Sequence, residues 1–361
     1  MNVSDSQRIA AKIESLGYKS APEKDADLVI VNACSVRQKA VDRIWGGIKK
    51  WQAQNKQIII TGCVLSMDQK KLKSKGVLFF NINNLPGLKN VLTKPSNILQ
   101  NIGVFSKEDL GYLKIKPKKE GKVTYIPIMT GCDNFCSYCA VPYTRGREIS
   151  RPMKDIMADV KNALANGFKT ILLLGQNVNS YGISRYRRDR CYSGKSDNLK
   201  FIKLLETVDN LVGDFKFNFI SSNPHDMSDE LIRTLATLKK WPRELHLPLQ
   251  SGDDEILRKM NRKYNSKQFL DLVSDLKLKI PASPAGGKNL KLSTDIIVGF
   301  PGETKAQFNN TVKICKKIKF TKAYISQYSP RPGTTAAKLK DDVSQKVKKH
   351  RWLILNKLIN H

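Results

Sequence analysis

The sequence predicts an α/β protein, in which a parallel-sheet domain at the amino terminus is followed by a larger domain of alternating strands and helices. Short apolar strand patterns recur along the 361 residues, and stretches with helical spacing separate them. A polar, proline-interrupted segment at residues 114–122 divides the two sets of elements. The length is enough for two or three domains of ordinary size.

The composition excludes several classes of protein. Apolar residues make up 40% of the chain, which is normal for a globular protein and argues against disorder as the main state. No apolar run approaches the ~20 residues of a membrane helix, and the start lacks an apolar signal segment, so the sequence predicts a cytoplasmic protein without a membrane partner. The formal charge of +31 indicates a polyanion partner such as nucleic acid, with a generally lysine-rich surface as the alternative.

The first domain alternates predicted strands and helices. The apolar runs at 28–34 and 58–63 each end in a cysteine, Cys34 and Cys63, and a third run follows at 77–82. Because parallel strands end at the same edge of a sheet, we expect these two cysteines to lie close together. Ser4 and Asp5 predict the N-cap of a helix that precedes the first strand.

The second domain repeats the β-then-α alternation on a larger scale. Helices are predicted between its strands and over the basic carboxyl-terminal segment, residues 341–361. Six strands with intervening helices form either a partial (βα)6 barrel or an open doubly wound sheet, and periodicity does not choose between them. The predicted strands are 124–129, 170–175, 217–221, 245–249, 293–300 and 323–328.

Cysteine spacing indicates the chemistry. Three of the seven cysteines, Cys132, Cys136 and Cys139, form a C-x3-C-x2-C cluster after a predicted strand. Three thiolates at this spacing can ligate three irons of a 4Fe-4S cube and leave the fourth iron open. A structural zinc site needs four ligands and usually two C-x2-C pairs, so zinc is the weaker interpretation, as are unrelated thiols.

The cluster and its surroundings resemble the MiaB-type methylthiotransferases of the radical S-adenosylmethionine (SAM) superfamily. The resemblance extends over nearly the whole chain. Its segments are NACSVRQKA (32–40), IIITGC (58–63), GCDNFCSYCAVPYTRGREISRP (131–152), LLLGQNVNSYG (172–182), SSNPHD (221–226), LHLPLQSGDDEIL (245–257), STDIIVGFPGET (293–304) and YSPRPGTTAA (328–337).

This resemblance implies a partial (βα)6 barrel and two 4Fe-4S clusters. Cys132, Cys136 and Cys139 would hold the cluster that binds SAM and cleaves it reductively to a 5′-deoxyadenosyl radical. Cys34 and Cys63 would be the second and third ligands of an auxiliary cluster that handles the inserted sulfur. Strand-end candidates for cradling SAM, for which ordinary loop capping is the alternative, are Gly175, Gln176, Asn177, Gln250, Ser251 and Asp295.

The expected domains are residues 1–98, a linker at 99–122, the radical SAM core at 123–340 and a basic helix at 341–361. The first auxiliary ligand of the family would lie just before Met1, so we expect a fragment or a misassigned start, with the first strand missing. The family's RNA-binding β-barrel would follow the last helix and is also expected to be absent. Cys191 is an improbable substitute ligand, and Cys315 is expected in the core.

The resemblance also implies the reaction and its partners. GQNVNSYG is similar to the branch that adds a methylthio group to C2 of isopentenyladenosine beside the anticodon of tRNA, with an electron donor and a sulfur source. The alternatives are modification of threonylcarbamoyladenosine or of a ribosomal protein, and an inactive RNA-binding iron–sulfur protein. Basic residues that could contact RNA, or simply be solvated, are Arg185, Arg187, Arg188, Arg190, Lys346, Lys348, Lys349 and Arg351.

Overall fold

A computed structural model describes residues 1–34, 38–93, 107–183, 198–280 and 289–361. No helix within these ranges is both long and apolar enough to cross a membrane. Outside the described residues lie Arg185, Arg187, Arg188, Arg190 and Cys191, with most of the segments 184–198 and 280–291.

The amino-terminal domain is built on a parallel sheet. Its strands are β1 (Leu28–Cys34), β2 (Gln57–Cys63) and β3 (Leu78–Phe79), and its helices are α1 (Asn2–Ser15), α2 (Gln38–Ala53), α3 (Ser66–Lys73) and α4 (Leu88–Thr93). The strands lie in the order β1, β2, β3. Ile59 packs into one apolar cluster and Ile58 and Ile60 into another, so β2 is buried on both faces, as its continuous apolar run predicts.

Helix α1 begins at Asn2, and the predicted N-cap at Ser4 and Asp5 was wrong. Both residues lie inside the helix, and their side chains are buried. The Ser4 hydroxyl donates to the Tyr125 carbonyl at 3.1 Å, and the Asp5 carboxylate pairs with Arg145 at 2.7 Å. The two polar side chains therefore bind residues far away in the sequence instead of capping the helix terminus.

Part of the predicted linker, 99–122, packs with the amino-terminal domain. Residues Lys107–Lys114 form a 3-10 helix. Within it, Tyr112 and Leu113 are buried in the same apolar cluster as Ile9. Burial of this kind stabilises a defined conformation in that segment.

The second domain contains two parallel three-stranded sheets and a short antiparallel pair. Its strands are β4 (Val123–Pro127), β5 (Met129–Thr130), β6 (Ile149–Ser150), β7 (Thr170–Leu174), β8 (Lys216–Phe219), β9 (Glu244–His246), β10 (Lys291–Val298) and β11 (Lys322–Gln327). Its helices are α5 (Val141–Thr144), α6 (Met153–Ala165), α7 (Leu199–Asp209), α8 (Asp229–Thr237), α9 (Asp254–Lys259), α10 (Ser266–Lys279), α11 (Lys305–Ile318) and α12 (Gln345–Ile359).

The order of these strands favours the barrel over the doubly wound sheet. The sheets run β4-β7-β8 and β9-β10-β11, so neighbouring strands follow one another along the chain, whereas a doubly wound sheet reverses its order at a switch point. All six strands contribute to one apolar core, through Ile126, Ile171, Phe217, Leu245, Ile296 and Ala323. The predicted partial (βα)6 barrel is therefore confirmed. Cys315 of α11 lies in this core, as expected.

Helix α12 is part of this packed unit, which changes the interpretation of its basic residues. Leu355 lies in the barrel core. Lys348 is fully buried and pairs with Asp341 at 2.6 Å, and Arg351 pairs with Glu303 at 2.6 Å. Lys348 and Arg351 therefore fit neither expectation, RNA contact or a solvated surface charge, because Asp341, Glu303 and backbone carbonyls bind them. Lys346 and Lys349 are exposed.

We expect Arg351→Gln to lower the free energy of unfolding by about 3–5 kcal/mol, because Glu303 would keep a buried charge without its partner. Chemical denaturation would measure this change. The matched control is Lys349→Gln on the exposed side of α12, which should stay within about 0.5 kcal/mol of the parent protein. Equal effects of the two substitutions would show that the buried Arg351–Glu303 pair contributes no more to stability than an exposed lysine.

Candidate active site

The three clustered cysteines lie on a loop that follows β5 and that we call the cysteine loop (residues 131–139). The backbone amide of its first cysteine, Cys132, donates to the Gly146 carbonyl at 3.3 Å. Near the other end of the loop, the Ser137 hydroxyl donates to the Lys259 carbonyl at 2.7 Å. The loop is thus fastened both to the segment after α5 and to the end of α9.

Gly131 allows the loop to start in this position. It has φ +78°, and a Cβ built there would lie 2.0 Å from the Arg147 carbonyl oxygen. Any side chain would therefore push the two backbone segments apart. The close crossing places residues 145–147 directly against the start of the cysteine loop.

Side-chain nitrogen donors contact two of the three cysteine sulfurs of the loop. Asn134 Nδ2 donates to Cys132 Sγ at 3.5 Å, and Arg262 Nη1 donates to Cys136 Sγ at 3.3 Å. Burial raises the pKa of the Cys132 and Cys139 thiols to about 12. Buried thiols of this kind need a cationic partner to exist as thiolates at neutral pH, and metal ions supply one.

This donor set fits an iron–sulfur cluster better than a single metal ion. Among the described residues, no three His, Cys, Asp or Glu side chains converge to hold one ion. A cube spreads its cysteine ligands over different irons, so their sulfurs need not converge on one point. Amide and guanidinium donors to sulfur are also typical of the surroundings that tune such clusters.

Arg262 is a site residue that the sequence did not reveal. Besides Cys136, its guanidinium contacts Asn223 Oδ1 at 3.2 Å and the Tyr264 hydroxyl at 3.1 Å. It lies in the loop after α9, far along the chain from the cysteines, and a single arginine in a loop carries no recognisable spacing. Its neighbour Asn223 belongs to the SSNPHD segment, which was the only available signal for this part of the site.

The second pair of cysteines lies at the carboxyl edge of the amino-terminal sheet. Cys34 and Cys63 are register partners at the ends of β1 and β2, so the expected proximity is confirmed. Arg145 Nε donates to Cys63 Sγ at 3.0 Å, and Arg145 also pairs with Asp5, whose side chain is fully buried. Burial opposes the charged guanidinium, but Cys63 and Asp5 outweigh it and raise the pKa of Arg145 above its usual value.

Several buried polar atoms beside this pair have no hydrogen-bond partner among the described residues. They are Arg145 Nη1, Thr61 Oγ1 and Asn32 Oδ1. Buried polar atoms normally find partners, so a bound group is the simplest explanation for these. A cluster with inorganic sulfide acceptors would fit the free Arg145 donor next to Cys63.

One short segment joins the two cysteine sites. Arg145 bonds to the Cys63 sulfur, and the next carbonyl, that of Gly146, accepts from the Cys132 amide. The two domains therefore hold their cysteines in a fixed relation through adjacent residues after α5. Sequence reasoning singled out the PYTRGRE segment but gave Arg145 no role.

The three candidates after β7 have different surroundings. Gly175 is packed so closely that a Cβ would lie 2.7 Å from Met129 Cγ, and Asn177 Nδ2 donates to Asp226 at 2.7 Å. Gln176 Oε1 is buried and has no partner among the described residues. Asn177 Oδ1 is likewise buried without a partner among these residues, so Gln176 and Asn177 each retain an acceptor that a ligand could use.

The candidates of the other sheet lie together. The backbone N–H of Gln250, a residue with φ +65°, donates to the Asp295 backbone carbonyl at 2.8 Å. The Asp295 carboxylate faces His246 Nε2 at 3.2 Å and is 40% exposed. The buried Ser251 hydroxyl accepts from the Asp253 amide two positions on at 3.3 Å, which is the local contact that the loop-capping alternative predicts.

Comparison with known proteins agrees with this arrangement. Residues 126–315 match the radical SAM superfamily, and residues 1–80 match the uncharacterized protein family UPF0004. A Clostridium botulinum (strain Langeland) protein named tRNA-2-methylthio-N(6)-dimethylallyladenosine synthase is 37% identical over 100% of the chain and 79% of its own length. Relatives of the same name from Carboxydothermus hydrogenoformans and Caldicellulosiruptor saccharolyticus are 37% and 39% identical, over 100% and 99% of the chain and 81% and 75% of theirs.

The chain belongs to the MiaB-type family of radical SAM methylthiotransferases. Members are transferases that use SAM and carry two 4Fe-4S clusters. The fold agrees with solved structures. The radical SAM methyltransferase TsrM from Kitasatospora setae superposes with a TM-score of 0.60 at 13% identity, over 91% of the chain and 66% of TsrM. The radical SAM enzyme OxsB superposes with a TM-score of 0.54 at 11% identity, over 96% of the chain and 53% of OxsB.

Proposed function

We propose that the protein adds a methylthio group to C2 of isopentenyladenosine next to the anticodon of tRNA. The observation that carries the proposal is the joining of two cysteine sites by Arg145 and Gly146, in a chain 37% identical to synthases named for this product. A one-cluster SAM enzyme has no need to fix a second pair of cysteines against its cysteine loop. The reaction would take place in the cytoplasm.

In this proposal, Cys132, Cys136 and Cys139 hold the SAM-cleaving cluster, and Cys34 and Cys63 contribute to the auxiliary one. When bound, the clusters supply the electron for SAM cleavage and the sulfur for insertion, with an electron donor and a sulfur source as further partners. Asn134, Arg262 and Arg145 donate hydrogen bonds to sulfur and so fix the ligands. They also stabilise negative charge on the sulfurs.

The barrel residues would bind and orient SAM. We assign this role to Gly175, Gln176 and Asn177 after β7 and to Gln250, Ser251 and Asp295 of the β9–β10 side. The free acceptor of Gln176 and the half-exposed carboxylate of Asp295 are suited to the amino and ribose hydroxyl groups of SAM. Close packing at Gly175 and the bond from Asn177 to Asp226 keep this edge rigid.

The alternatives receive less support. A ribosomal-protein or threonylcarbamoyladenosine substrate is not what the relatives' names state. An inactive RNA-binding protein would have no use for three clustered cysteines, two of which receive side-chain nitrogen donors at their sulfurs.

The test is anaerobic reconstitution, followed by incubation with reductant, SAM and tRNA that carries isopentenyladenosine. We expect 5′-deoxyadenosine in the reaction mixture and a methylthiolated nucleoside in the digested tRNA, each identified by mass spectrometry. SAM cleavage without that nucleoside, on tRNA carrying isopentenyladenosine, would contradict the assigned substrate. tRNA with threonylcarbamoyladenosine serves as the parallel substrate control.

A further inference from the structure

Two exposed aromatic rings lie at the edge of the cysteine loop. Phe135 is 37% exposed and Tyr143, on α5, is 46% exposed. Their centroids are 6.3 Å apart and their planes meet at 82°, an edge-to-face pair. Large apolar side chains gain stability from burial, so an aromatic pair that remains at the surface beside an active site indicates a binding surface.

The backbone of Phe135 is held in an unfavourable conformation. Its φ is +47°, in the left-handed region that bulky residues avoid. Asn261 Nδ2 donates to the Phe135 carbonyl at 2.9 Å and helps to hold this conformation. Backbone strain of this kind concentrates at functional sites. Here the strained residue lies between Cys132 and Cys136 in the sequence, and its aromatic ring remains partly exposed to solvent.

A cation accompanies the pair. The Arg147 guanidinium carbon lies 5.3 Å from the centre of the Phe135 ring. Arg147 Nε is bonded to Asp133 at 2.9 Å, and its side chain is 45% exposed. The three side chains therefore offer aromatic surface and positive charge side by side, which is the combination that proteins use to bind single-stranded nucleic acid.

We propose that Phe135, Tyr143 and Arg147 form a stacking platform for an unpaired base of the RNA substrate, next to the nucleotide that reacts. This inference deepens the proposed function and rests on it. RNA is the occupant that the surface fits best, because the chain carries a net charge of +31 and the platform borders the cysteine loop, where the substrate base must arrive.

The test measures binding of a fluorescent anticodon stem–loop RNA hairpin to the reconstituted protein. We expect Tyr143→Ala to raise Kd about 5- to 150-fold, equivalent to the ~1–3 kcal/mol of one base stacked on an aromatic ring. Tyr143→Phe retains the ring and should bind within twofold of the parent protein. The matched control is Tyr18→Ala, which removes another surface aromatic, 41% exposed, from the loop after α1.

A second measurement locates the base. A set of hairpins is prepared in which each loop nucleotide in turn lacks its base. The parent protein should bind more weakly to the one hairpin whose abasic position is next to the target nucleotide. The Kd of the Tyr143→Ala protein should not change when the base at that same position is removed, since the ring on which the base stacks is already absent. A Tyr143→Ala protein that binds the intact hairpin within twofold of the parent would overturn the platform.

The outcomes separate the two proposals. If the parent protein modifies tRNA but Tyr143→Ala leaves Kd unchanged, only the platform is wrong. If Kd depends on Tyr143 and on one loop base but no methylthiolated product forms, only the proposed function is wrong. A Tyr143→Ala protein with unchanged Kd and slower reduction by a protein electron donor would assign the surface to that donor instead.

Discussion

Cys136→Ala is expected to reduce SAM cleavage to background and to remove about four irons per chain after reconstitution. Cys136 is one of three thiols on a loop that follows β5, and Arg262 donates directly to its sulfur. Two remaining ligands hold a cube poorly, and without it no electron reaches SAM. Iron and sulfide analysis, together with 5′-deoxyadenosine formation under reducing conditions, measures both effects.

The matched control for this prediction is Cys315→Ala. Cys315 is a buried cysteine of α11 with 2% exposure and lies in the barrel core, away from the loop. Its substitution should leave iron content and SAM cleavage near parental values and cost about 1 kcal/mol of stability. If Cys136→Ala retained cleavage while Cys315→Ala lost it, the assignment of the triplet would be wrong.

Arg145→Met should lower the free energy of unfolding of the cofactor-free protein by about 3–5 kcal/mol, because it leaves the Asp5 carboxylate buried without its cation. Both side chains of the pair are at most 5% exposed. The double variant Asp5→Asn/Arg145→Met should recover part of this loss, since it removes both charges. Anaerobic denaturant titration of the parent, the single variant and the double variant gives the coupling.

An exposed ion pair provides the comparison. Lys50→Gln removes the partner of Glu23 in a pair whose side chains are 61% and 52% exposed, and the same titration should show little or no change in stability. A loss of similar size for Lys50→Gln and Arg145→Met would mean that burial of the Arg145 pair has no special cost. A loss that the double variant does not reduce at all would mean that Asp5 is not the partner concerned.

Local patterns in the sequence predicted most of the fold correctly. The run at 28–34 is strand β1, and the run at 170–175 is β7 to within one residue. Apolar periodicity and polar cap residues act over a few neighbouring residues, so they can be read from the chain. Thr304 illustrates this, since its side chain caps α11 by accepting from the amide of Gln307, only three positions on.

Predictions failed where a side chain found a distant partner. Ser4 and Asp5 have the composition of a helix cap, but Tyr125 and Arg145, more than a hundred positions away, bind them instead. Lys348 belongs to a basic helix and is nevertheless buried against Asp341. Composition shows that a residue is polar or charged, but not which partner the fold brings to it.

The sequence by itself determined the order of strands and helices, the cysteine triplet and the likeness to methylthiotransferases, because these reside in local spacing. Only the tertiary structure decided that the strands are ordered as in a barrel and that Cys34 and Cys63 are register partners. It alone placed Arg145 on the Cys63 sulfur and Arg262 on Cys136. Such contacts join segments far apart in the chain, and their energy depends on burial, which no local pattern records.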